Sequence, residues 1–354
     1  MVIRIAWRSA REPIFSLSCN QAAILCFMNK LIALIDKFPG VHLMVIGDLM
    51  LDRFIRGEVE RISPEAPVPV LRVVSEESSL GGAANVVHNV ISLGGRVTAC
   101  GIVGKDNAGK RIVAALRALG ASTAGVFVDN GYHTIQKTRI IASPRHQQIV
   151  RLDRENRHAA VSARLRQLRD FLAARIDRCD GVVLSDYGKG VIHQELIEMI
   201  AERVRRHKII CVVDPKKENY QRYHLPALIT PNKSEASEAS GIAIEDESSL
   251  RAAGAKLVRK WQAKAVLITR GPDGMSLFRP GGVVRHFPTE PRDVFEVTGA
   301  GDTVVAACAL ALAARASYEE AAVLANLAAG FVGDEVGTVA VPRDKLKRRI
   351  EGTL

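Results

Sequence analysis

The sequence predicts an α/β fold with a mostly parallel central sheet and a small inserted β-sheet. From Val41 onward, short apolar runs alternate with longer amphipathic segments, which is typical of βαβ units. Five apolar runs end in polar residues, as strands do where they reach a ligand crevice. Two other segments resemble paired strands without an intervening helix. These observations favour an α/β body that carries an inserted β-subdomain.

Composition places the chain among ordinary globular proteins. It has 354 residues, of which 47% are hydrophobic and 25% charged. This length allows two modest domains or one large α/β domain with an insertion. Because there is no internal repeat and no low-complexity linker, we assign residues 39–354 to one domain. No apolar stretch reaches the ~18–20 residues of a membrane span. The six cysteines form no CxxC pair, which indicates reduced thiols in a cytoplasmic protein and neither a disulfide framework nor a zinc site.

The net charge of +11 suits nucleic acid, anionic lipid or phosphorylated small molecules. The basic residues are scattered, and the densest runs, residues 203–208 and 345–349, contain no aromatic residue for base stacking. We interpret both runs as solvated helix faces. This distribution favours a phosphorylated small molecule over a nucleic-acid or membrane partner.

Residues 1–38 precede the first predicted strand and form an N-terminal extension. Arg4, Arg8 and Arg11 are followed by an apolar patch at residues 24–27, which faintly resembles a targeting signal. A clear hydrophobic region with a small-residue cleavage site is missing. We therefore expect a poorly ordered extension, or a translation start placed upstream of Met28, rather than a secretion signal.

The five apolar runs that end in polar residues predict one crevice. Ligands bind beyond the carboxyl ends of strands in open α/β sheets. The alternative is that these polar residues only cap the helices that follow. The runs are residues 43–46 before Asp48, 182–184 before Asp186, 210–213 before Asp214, 228–230 before Asn232, and 266–268 before Thr269 and Arg270.

Two segments interrupt the βα pattern, at about residues 53–75 and 134–152. Both are rich in β-branched residues and contain no helical period. We predict that they form a small β-sheet inserted into the α/β body, which can act as a lid.

The strongest chemical motif is residues 298–303, followed by an apolar helix of small residues. Gly299, Ala300 and Gly301 allow backbone N–H groups to converge on an anion at the helix N-terminus. A carboxylate there repels a phosphate, so Asp302 is better explained as the base that accepts the proton of an attacking hydroxyl. The alternative is an acidic residue that interacts with the helix dipole.

Other motifs supply candidate sugar and nucleotide ligands. Gly81 and Gly82 open a helix that carries Asn85, whose amide can bond to sugar hydroxyls. Asp48 and Asp52 follow the first strand and form a plausible clamp for a vicinal diol. Residues 186–190 add Asp186 and Lys189, and Glu235 could act through water on a nucleotide-bound Mg²⁺. There is neither a P-loop nor a dinucleotide GxGxxG motif after the first strand.

In this order and spacing, residues 81–85, 232–235 and 298–302 resemble the ribokinase-like (PfkB) carbohydrate kinases, over about residues 40–345. Residues 47–52, 62–70, 185–190 and 213–217 are similar to the D-glycero-β-D-manno-heptose 7-phosphate kinases of lipopolysaccharide biosynthesis. Many of those carry a C-terminal cytidylyltransferase-like domain with an HxGH motif. No such motif occurs before Leu354, so the resemblance is to the stand-alone kinase.

The resemblance implies a three-layer α/β/α body with a β-lid, ATP as donor and Mg²⁺ as metal. It also implies that the family's usual Asp is replaced by Glu296, which keeps the carboxylate and so tunes the cation or phosphate environment. By matching motif positions, Asp302 is the catalytic base and Gly299, Ala300 and Gly301 form the anion hole. The nucleotide and its metal are expected to be bound by Asn232, Lys233, Ser234, Glu235, Thr269, Arg270 and Gly271. The heptose is expected to be bound by Asp52, Gly82, Asn85, Asp186 and Lys189.

The 7-phosphate needs charge-assisted donors. Lys189, Arg139 and the pair Lys216 and Lys217 are candidates, and Arg139 could instead face solvent on an alternating strand.

The resulting hypothesis is an ATP-dependent kinase that phosphorylates the anomeric hydroxyl of the heptose 7-phosphate and forms a homodimer through the lid. Another sugar kinase, of the fructose 1-phosphate or tagatose 6-phosphate type, is the nearest alternative. A non-catalytic module that senses sugar phosphate or binds nucleic acid is a further one.

Overall fold

A computed structural model of the chain describes residues 17–143, 147–156, 162–224, 226–289, 299–332 and 340–352. Its strands are β1 (His42–Gly47), β2 (Leu49–Ile62), β3 (Pro69–Gly82), β4 (Arg96–Gly104), β5 (Ser122–Asp129), β6 (Ile135–Ser143), β7 (Gln147–Arg154), β8 (Gly181–Ser185), β9 (Ile210–Asp214), β10 (Leu228–Ile229), β11 (Val266–Thr269), β12 (Met275–Arg279) and β13 (Val283–Phe287). Its helices are α1 (Leu17–Ile35), α2 (Ala83–Ser92), α3 (Asn107–Ala118), α4 (Ser162–Arg175), α5 (Gln194–His207), α6 (Lys233–Ser240), α7 (Glu247–Lys260), α8 (Ala300–Ala313), α9 (Tyr318–Val332) and α10 (Arg343–Glu351).

The main sheet has nine strands within the described residues, in the order β13-β12-β11-β10-β9-β8-β1-β4-β5. The seven strands from β11 to β5 run parallel to one another. Strands β12 and β13 continue the sheet in antiparallel pairing at one edge. The predicted, mostly parallel sheet is therefore confirmed.

Helices cover both faces of this sheet and create two hydrophobic cores. On β1, Leu43 and Val45 enter the core that α1, α2, α3, α8, α9 and α10 share. Met44 and Ile46 enter the opposite core, with α4, α5, α6 and α7. A strand buried on both faces reads as an uninterrupted apolar run, which is why β1 was visible in the sequence. The arrangement is the expected three-layer α/β/α sandwich.

Helix α8 is apolar around its whole circumference. Residues 302–312 are all buried, because the helix lies against the sheet and also contacts α2 and α9. Its alanines let these elements approach closely, and a helix that is apolar on every side is a buried one. This packing holds the N-terminus of α8 at a defined position beside the sheet.

The inserted sheet is also present, with four strands among the described residues in the order β3-β2-β6-β7. Strand β2 is antiparallel to β3 and parallel to β6. Asp52 pairs with Lys137, and Phe54 with Arg139. Since successive residues of a strand point to opposite faces, these four side chains share one face of the sheet. Strands β2 and β3 extend past residues 53–75 at both ends.

The N-terminal helix α1 lies within the segment we expected to be an extension. From Met28 onward it contributes buried side chains to a core, among them Leu31, Leu34 and Ile35. Lys347 of α10 donates to Asp36 Oδ1 at 2.8 Å. Residues 28–38 thus pack against the domain, whereas residues 1–16 lie outside the described residues.

None of the described helices is both long enough and apolar enough to cross a membrane. Four described cysteines, Cys100, Cys179, Cys211 and Cys308, are buried with free thiols, whereas Cys26 is free and exposed.

Candidate active site

Five neighbouring parallel strands, β11-β10-β9-β8-β1, end at one edge of the main sheet. Their ends carry the polar residues that the sequence singled out. The Asp186 N–H donates to the carbonyl of Asp214, and Asn232 pairs with Thr269 in a parallel bridge. The carboxyl edge of the sheet therefore brings these residues into one row, as expected for a crevice beyond the strand ends.

Asp302 reaches the same edge from the first turn of α8. Its side chain is almost fully buried. Asn85 Nδ2 donates to Oδ2 at 2.8 Å, and the hydroxyl of Tyr187 donates to Oδ1 at 2.8 Å. Burial raises the pKa of Tyr187 well above its ordinary value, so this hydroxyl keeps the proton it donates. Two donors thus orient a carboxylate that water hardly reaches.

Burial raises the pKa of Asp302 to about 6, from an ordinary value of 3.8. The negative charge of Asp52 acts in the same direction, while the bonds from Asn85 and Tyr187 and the charge of Lys137 oppose the rise. A carboxylate with this pKa is ionised at neutral pH and is a better proton acceptor than an exposed one.

The N-terminus of α8 presents backbone donors next to Asp302. Gly299 precedes the helix with φ of 87°, a left-handed conformation that glycine adopts without strain. The N–H of Thr303 makes the first intrahelical bond, to Gly299 O, so the amides of Ala300, Gly301 and Asp302 precede the helical ladder. A Cβ added to Gly301 would meet no heavy atom within 4 Å, which leaves room for a ligand. Thr298 and Glu296 lie outside the described residues.

Asp52 lies on β2 of the inserted four-stranded sheet β3-β2-β6-β7, which we call the lid sheet, and is nearly buried. Arg139 Nη1 donates to Asp52 Oδ1 at 3.0 Å, in an ion pair whose side chains are 13% and 8% exposed. A Cβ added to Gly81 would lie 2.5 Å from Asp52 Oδ2, so only glycine leaves this carboxylate in place. Gly82 follows as the N-cap of α2, the helix that carries Asn85. The predicted residues Asp52, Gly81, Gly82, Asn85 and Arg139 therefore lie together.

Lys137 belongs to this group although we did not predict it. Its ammonium lies 5.2 Å from the ring centroid of Tyr187. Burial lowers the pKa of Lys137, and the charge of Asp52 partly offsets that change. The signal in the sequence is the spacing of Lys137 and Arg139, which places both side chains on one face of a strand.

Asp48 and Asp186 hold the backbone of the loop at residues 187–191. Asp48 is fully buried and accepts the N–H groups of Tyr187 at 3.0 Å, Lys189 at 3.1 Å and Val191 at 3.2 Å. Burial raises its pKa to about 6, and the charge of Asp186 adds to the rise. These contacts occupy both oxygens of Asp48. The structure thus shows Asp48 positioning this loop, and the diol contact that we expected from the sequence stays a prediction.

Asp186 is also surrounded by donors from the protein. Its Oδ1 accepts the N–H of Gly188 at 2.8 Å. Its Oδ2 accepts Asn219 Nδ2 at 2.7 Å and the hydroxyl of Tyr223 at 2.5 Å. The side chain is 2% exposed, and its carboxylate links Gly188 of the loop to Asn219 and Tyr223.

Lys189 connects the loop to the lid sheet. Its ammonium forms an ion pair with Glu155, which directly follows β7. An anion that binds Lys189 therefore has to compete with this carboxylate.

Asn232 and Glu235 form a capping box at the start of α6. Asn232 Oδ1 accepts the N–H of Glu235 at 2.9 Å, and Glu235 Oε2 accepts the N–H of Asn232 at 3.0 Å. Lys216 Nζ donates to Glu235 Oε1 at 3.1 Å. Burial acts to lower the pKa of Lys216, but the charge and hydrogen bond of Glu235, together with the charges of Asp214 and Glu218, raise it overall. Lys217 pairs with Glu238 instead.

The remaining predicted nucleotide ligands flank this capping box. Lys233 and Ser234 are exposed in the first turn of α6. Thr269 ends β11 next to Asn232. Arg270 Nη2 donates to the carbonyl of Asp273 at 2.9 Å, which shapes the turn after β11. Gly271 is exposed, and no heavy atom lies within 4 Å of a Cβ built there.

Asp214 ends β9, in the row of polar residues between Asp186 after β8 and Asn232 after β10. Burial and the negative charges of Asp302 and Glu235 raise its pKa well above the ordinary value. The sequence identified Asp214 as a strand end and as part of the motif at residues 213–217, but no spacing rule relates it to Asp302. Within the described part of the chain, no three His, Cys, Asp or Glu side chains come close enough to ligate a metal ion directly.

Comparisons with known proteins agree with this geometry. The family model described as pfkB family carbohydrate kinase matches residues 41–345. The bifunctional protein HldE of Desulfatibacillum aliphaticivorans is 44% identical over 317 residues, which cover 90% of this chain and 64% of that protein. HldE of Geobacter metallireducens is 47% identical over 302 residues, which cover 85% and 61%. The chain thus spans less than two thirds of the length of these curated relatives.

Solved structures show the same fold at low sequence identity. Phosphofructokinase-2 of Escherichia coli in complex with potassium superposes with a TM-score of 0.74 at 22% identity, covering 88% of this chain and 98% of that one. Ribokinase of Arabidopsis thaliana complexed with ribose and ATP gives 0.68 at 21% identity, covering 88% and 99%. The predicted ribokinase-like fold is confirmed.

Proposed function

Because the chain belongs to the pfkB family of carbohydrate kinases, we propose that it transfers the γ-phosphoryl group of ATP to the anomeric C1 hydroxyl of D-glycero-β-D-manno-heptose 7-phosphate. The product is the 1,7-bisphosphate, in ADP-heptose and lipopolysaccharide core biosynthesis. The motif resemblance over residues 47–52, 62–70 and 185–190 supports this acceptor, as does the identity with proteins named HldE.

One observation carries the chemistry: a buried carboxylate, Asp302, adjoins the backbone amides of the first turn of α8. Asp302 accepts the proton of the C1 hydroxyl as its oxygen attacks the γ-phosphorus. The new C1–O–P bond forms, the bond from the γ-phosphorus to the β-phosphate bridging oxygen breaks, and ADP leaves. The amides of Ala300, Gly301 and Asp302 stabilise charge on the transferring group. Asn85 and Tyr187 each donate to one oxygen of Asp302 and so hold the carboxylate in a fixed orientation toward the acceptor.

We assign the acceptor to the crevice between the lid and the strand ends. Asp52 and Asn85 bind sugar hydroxyls, with Gly81 leaving room for the Asp52 carboxylate and Gly82 preceding the helix that carries Asn85. Asp48 and Asp186 act through the loop that carries Lys189.

The 7-phosphate requires cations, and the lid side supplies them. Arg139 and Lys189 are each paired with a carboxylate, Asp52 and Glu155. A phosphate dianion can share or replace these partners through charge-assisted bonds. We propose Arg139 and Lys189 as its ligands, with Lys137 as a third cation on the same face as Arg139.

We place ATP along the other half of the row. Asn232, Lys233, Ser234 and Glu235 line the start of α6, and Thr269, Arg270 and Gly271 line the neighbouring turn. The openness around Gly271 and Gly301 is consistent with a ligand passing over both turns.

The carboxylates in this row suit Mg²⁺, a hard cation that prefers oxygen ligands and keeps several waters. The negative charge of Glu235 adds to the burial that raises the pKa of Asp214, because like charges repel. We propose that Glu235 holds the ion through water, with Asp214 beside it. When bound, the ion neutralises charge on the donor phosphates.

The lid sheet completes the site. Its β2 and β6 carry Asp52, Lys137 and Arg139, so closure over the acceptor excludes water that would hydrolyse ATP. Large apolar side chains are exposed on this sheet and its turn, including Ile62, Val68 and Val74. We propose that two copies of the chain pair through their lids, which would cover this surface.

The alternatives are distinguished by an acceptor panel. We would measure ADP release with ATP and Mg²⁺ in the presence of the heptose 7-phosphate, fructose 1-phosphate, tagatose 6-phosphate or no acceptor. Our proposal expects release with the heptose phosphate alone. Faster release with another sugar phosphate would reassign the acceptor. Silence with every sugar, together with salt-sensitive DNA retention, would favour a binding module.

A further inference from the structure

A cavity of about 650 Å³ lies between α3 and the lid sheet. It is lined by Arg53 of β2, Arg111 of α3, Arg154 of β7 and His133 of the loop between β5 and β6. Arg53 alternates with Asp52 along β2, so the cavity faces the side of the sheet opposite to Asp52, Lys137 and Arg139. It is therefore separate from the acceptor crevice.

The charge of this cavity is strongly positive. Three guanidinium groups line it against one carboxylate, that of Asp106. Asp106 caps α3 by accepting the N–H of Gly109 at 2.8 Å, and its second oxygen accepts the N–H of Thr134 at 2.9 Å. Both of its oxygens thus accept backbone N–H groups, and among the described residues it forms no ion pair with these arginines.

Two of the arginines have no carboxylate partner among the described residues. Arg53 Nη2 donates to Glu76 Oε2 at 3.0 Å, on an exposed part of the sheet. Within the part of the chain that the structure describes, neither Arg111 nor Arg154 has an ion pair. Arg154 is adjacent in sequence to Asp153, but that carboxylate bonds to Arg151. Unpaired guanidiniums that line one cavity are the donor set that binds a phosphate dianion.

We propose that this cavity is a second anion site, which binds a phosphomonoester independently of the active site. Its volume lies within the range of small-ligand sites, about 300–1,000 Å³. Arg111 and Arg154 bind the phosphate, and His133 lies beside them as a further donor. The occupant contacts the two strands, β2 and β6, whose other face carries Asp52 and Lys137.

Residue-resolved arginine footprinting tests the proposal. The full chain carrying Asp302→Asn, which prevents turnover, is treated with phenylglyoxal, and each arginine is followed by peptide mass spectrometry. The arms contain glycerol 3-phosphate, inorganic phosphate or chloride at equal ionic strength. We expect a loss of modification at Arg111 and Arg154 with glycerol 3-phosphate but not with chloride, and no protection of the exposed Arg166 on α4.

Matched variants separate a site from a general effect of charge. In Arg111→Gln, protection of Arg154 should be lost, whereas Lys110→Gln, on the same helix and exposed, should retain it. Equal modification of Arg111 and Arg154 in glycerol 3-phosphate and in chloride would overturn the proposal. Protection of Arg154 that survives Arg111→Gln would also overturn it. Protection by inorganic phosphate alone would show a site for the free ion and contradict binding of a phosphomonoester. None of these outcomes depends on the acceptor assigned to the kinase.

Discussion

Asp302 shares its two carboxylate oxygens between the amide of Asn85 and the phenol of Tyr187. Both bonds stabilise the ionised form and so act against burial, which raises the pKa of Asp302 to about 6. At the scale of single residues, the pKa of the proposed base therefore depends on burial opposed by two hydrogen bonds, and one substitution can shift it.

Tyr187→Phe should shift the pH dependence of activity. The variant loses a bond that lowers the pKa of Asp302, so that pKa rises and the base is protonated at higher pH. In the wild-type protein, kcat/KM should fall about tenfold per pH unit below pH 6. In Tyr187→Phe this acid limb should move to higher pH. The measurement is the pH profile of kcat/KM, with Tyr318→Phe on α9 as control, and an unmoved limb would contradict the role of the phenol.

Gly81→Ala should disturb the acceptor clamp. The added Cβ would lie 2.5 Å from Asp52 Oδ2, so the carboxylate and its partner Arg139 must move. We expect KM for the acceptor to rise by about tenfold or more while KM for ATP changes little, because a displaced hydrogen-bonding group costs about 1–3 kcal/mol. Steady-state kinetics in both substrates test this. Gly40→Ala, where a Cβ meets no atom within 4 Å, is the matched control.

At the scale of elements, two helices carry the same capping box but differ in location. Asn232 and Glu235 cap α6 at the proposed nucleotide site, and Asp246 and Ser249 cap α7 away from it. A capping residue lowers the free energy of its helix wherever it occurs, so the pair separates a structural effect from a functional one.

Asn232→Ala should raise KM for ATP, and Asp246→Ala should not. Each variant loses a cap, with an expected decrease of about 1 kcal/mol in the free energy of unfolding. Denaturant unfolding measures the shared loss, and ATP titration measures the difference. Similar KM values for ATP in both variants would remove Asn232 from the nucleotide site.

At the scale of the whole molecule, the sequence predicted those features that hydrophobic periodicity and the polar residues at strand ends indicate. The buried run at residues 43–46 and its polar end identified β1 and the crevice, since a strand buried on both faces has no polar alternation. The motif at residues 299–302 predicted the start of α8, because its glycines allow backbone N–H groups to converge on an anion at a helix N-terminus.

Contacts between elements distant in the sequence were not predictable in the same way. The bond from Tyr187 to Asp302 joins residues 115 positions apart, and no local pattern encodes it. Asp48 shows the same limit: its position after a strand suggested a sugar contact, but did not reveal the three N–H groups that the nearby loop donates to its carboxylate. A single sequence reports where a polar group lies on an element, not which partner reaches it.

Lid pairing predicts the oligomeric state. Val74 is 63% exposed on the lid sheet, so Val74→Glu should weaken a dimer in which this surface is buried. Sedimentation velocity should show a dimer for the wild-type protein and a shift toward monomer for the variant. Val283→Glu, at an exposed position of β13 outside the lid, should leave the dimer intact. A wild-type monomer would contradict lid pairing.

The central claim, that Asp302 is the base of an anomeric sugar kinase, is tested most directly by the turnover of Asp302→Asn with ATP, Mg²⁺ and the heptose 7-phosphate. Asparagine keeps the shape of the side chain but cannot accept the proton, so kcat should fall by about 10²–10⁴ with ATP affinity nearly unchanged. Asp344→Asn, an exposed carboxylate on α10, should turn over like the wild-type protein. Near-normal turnover of Asp302→Asn would contradict the assignment.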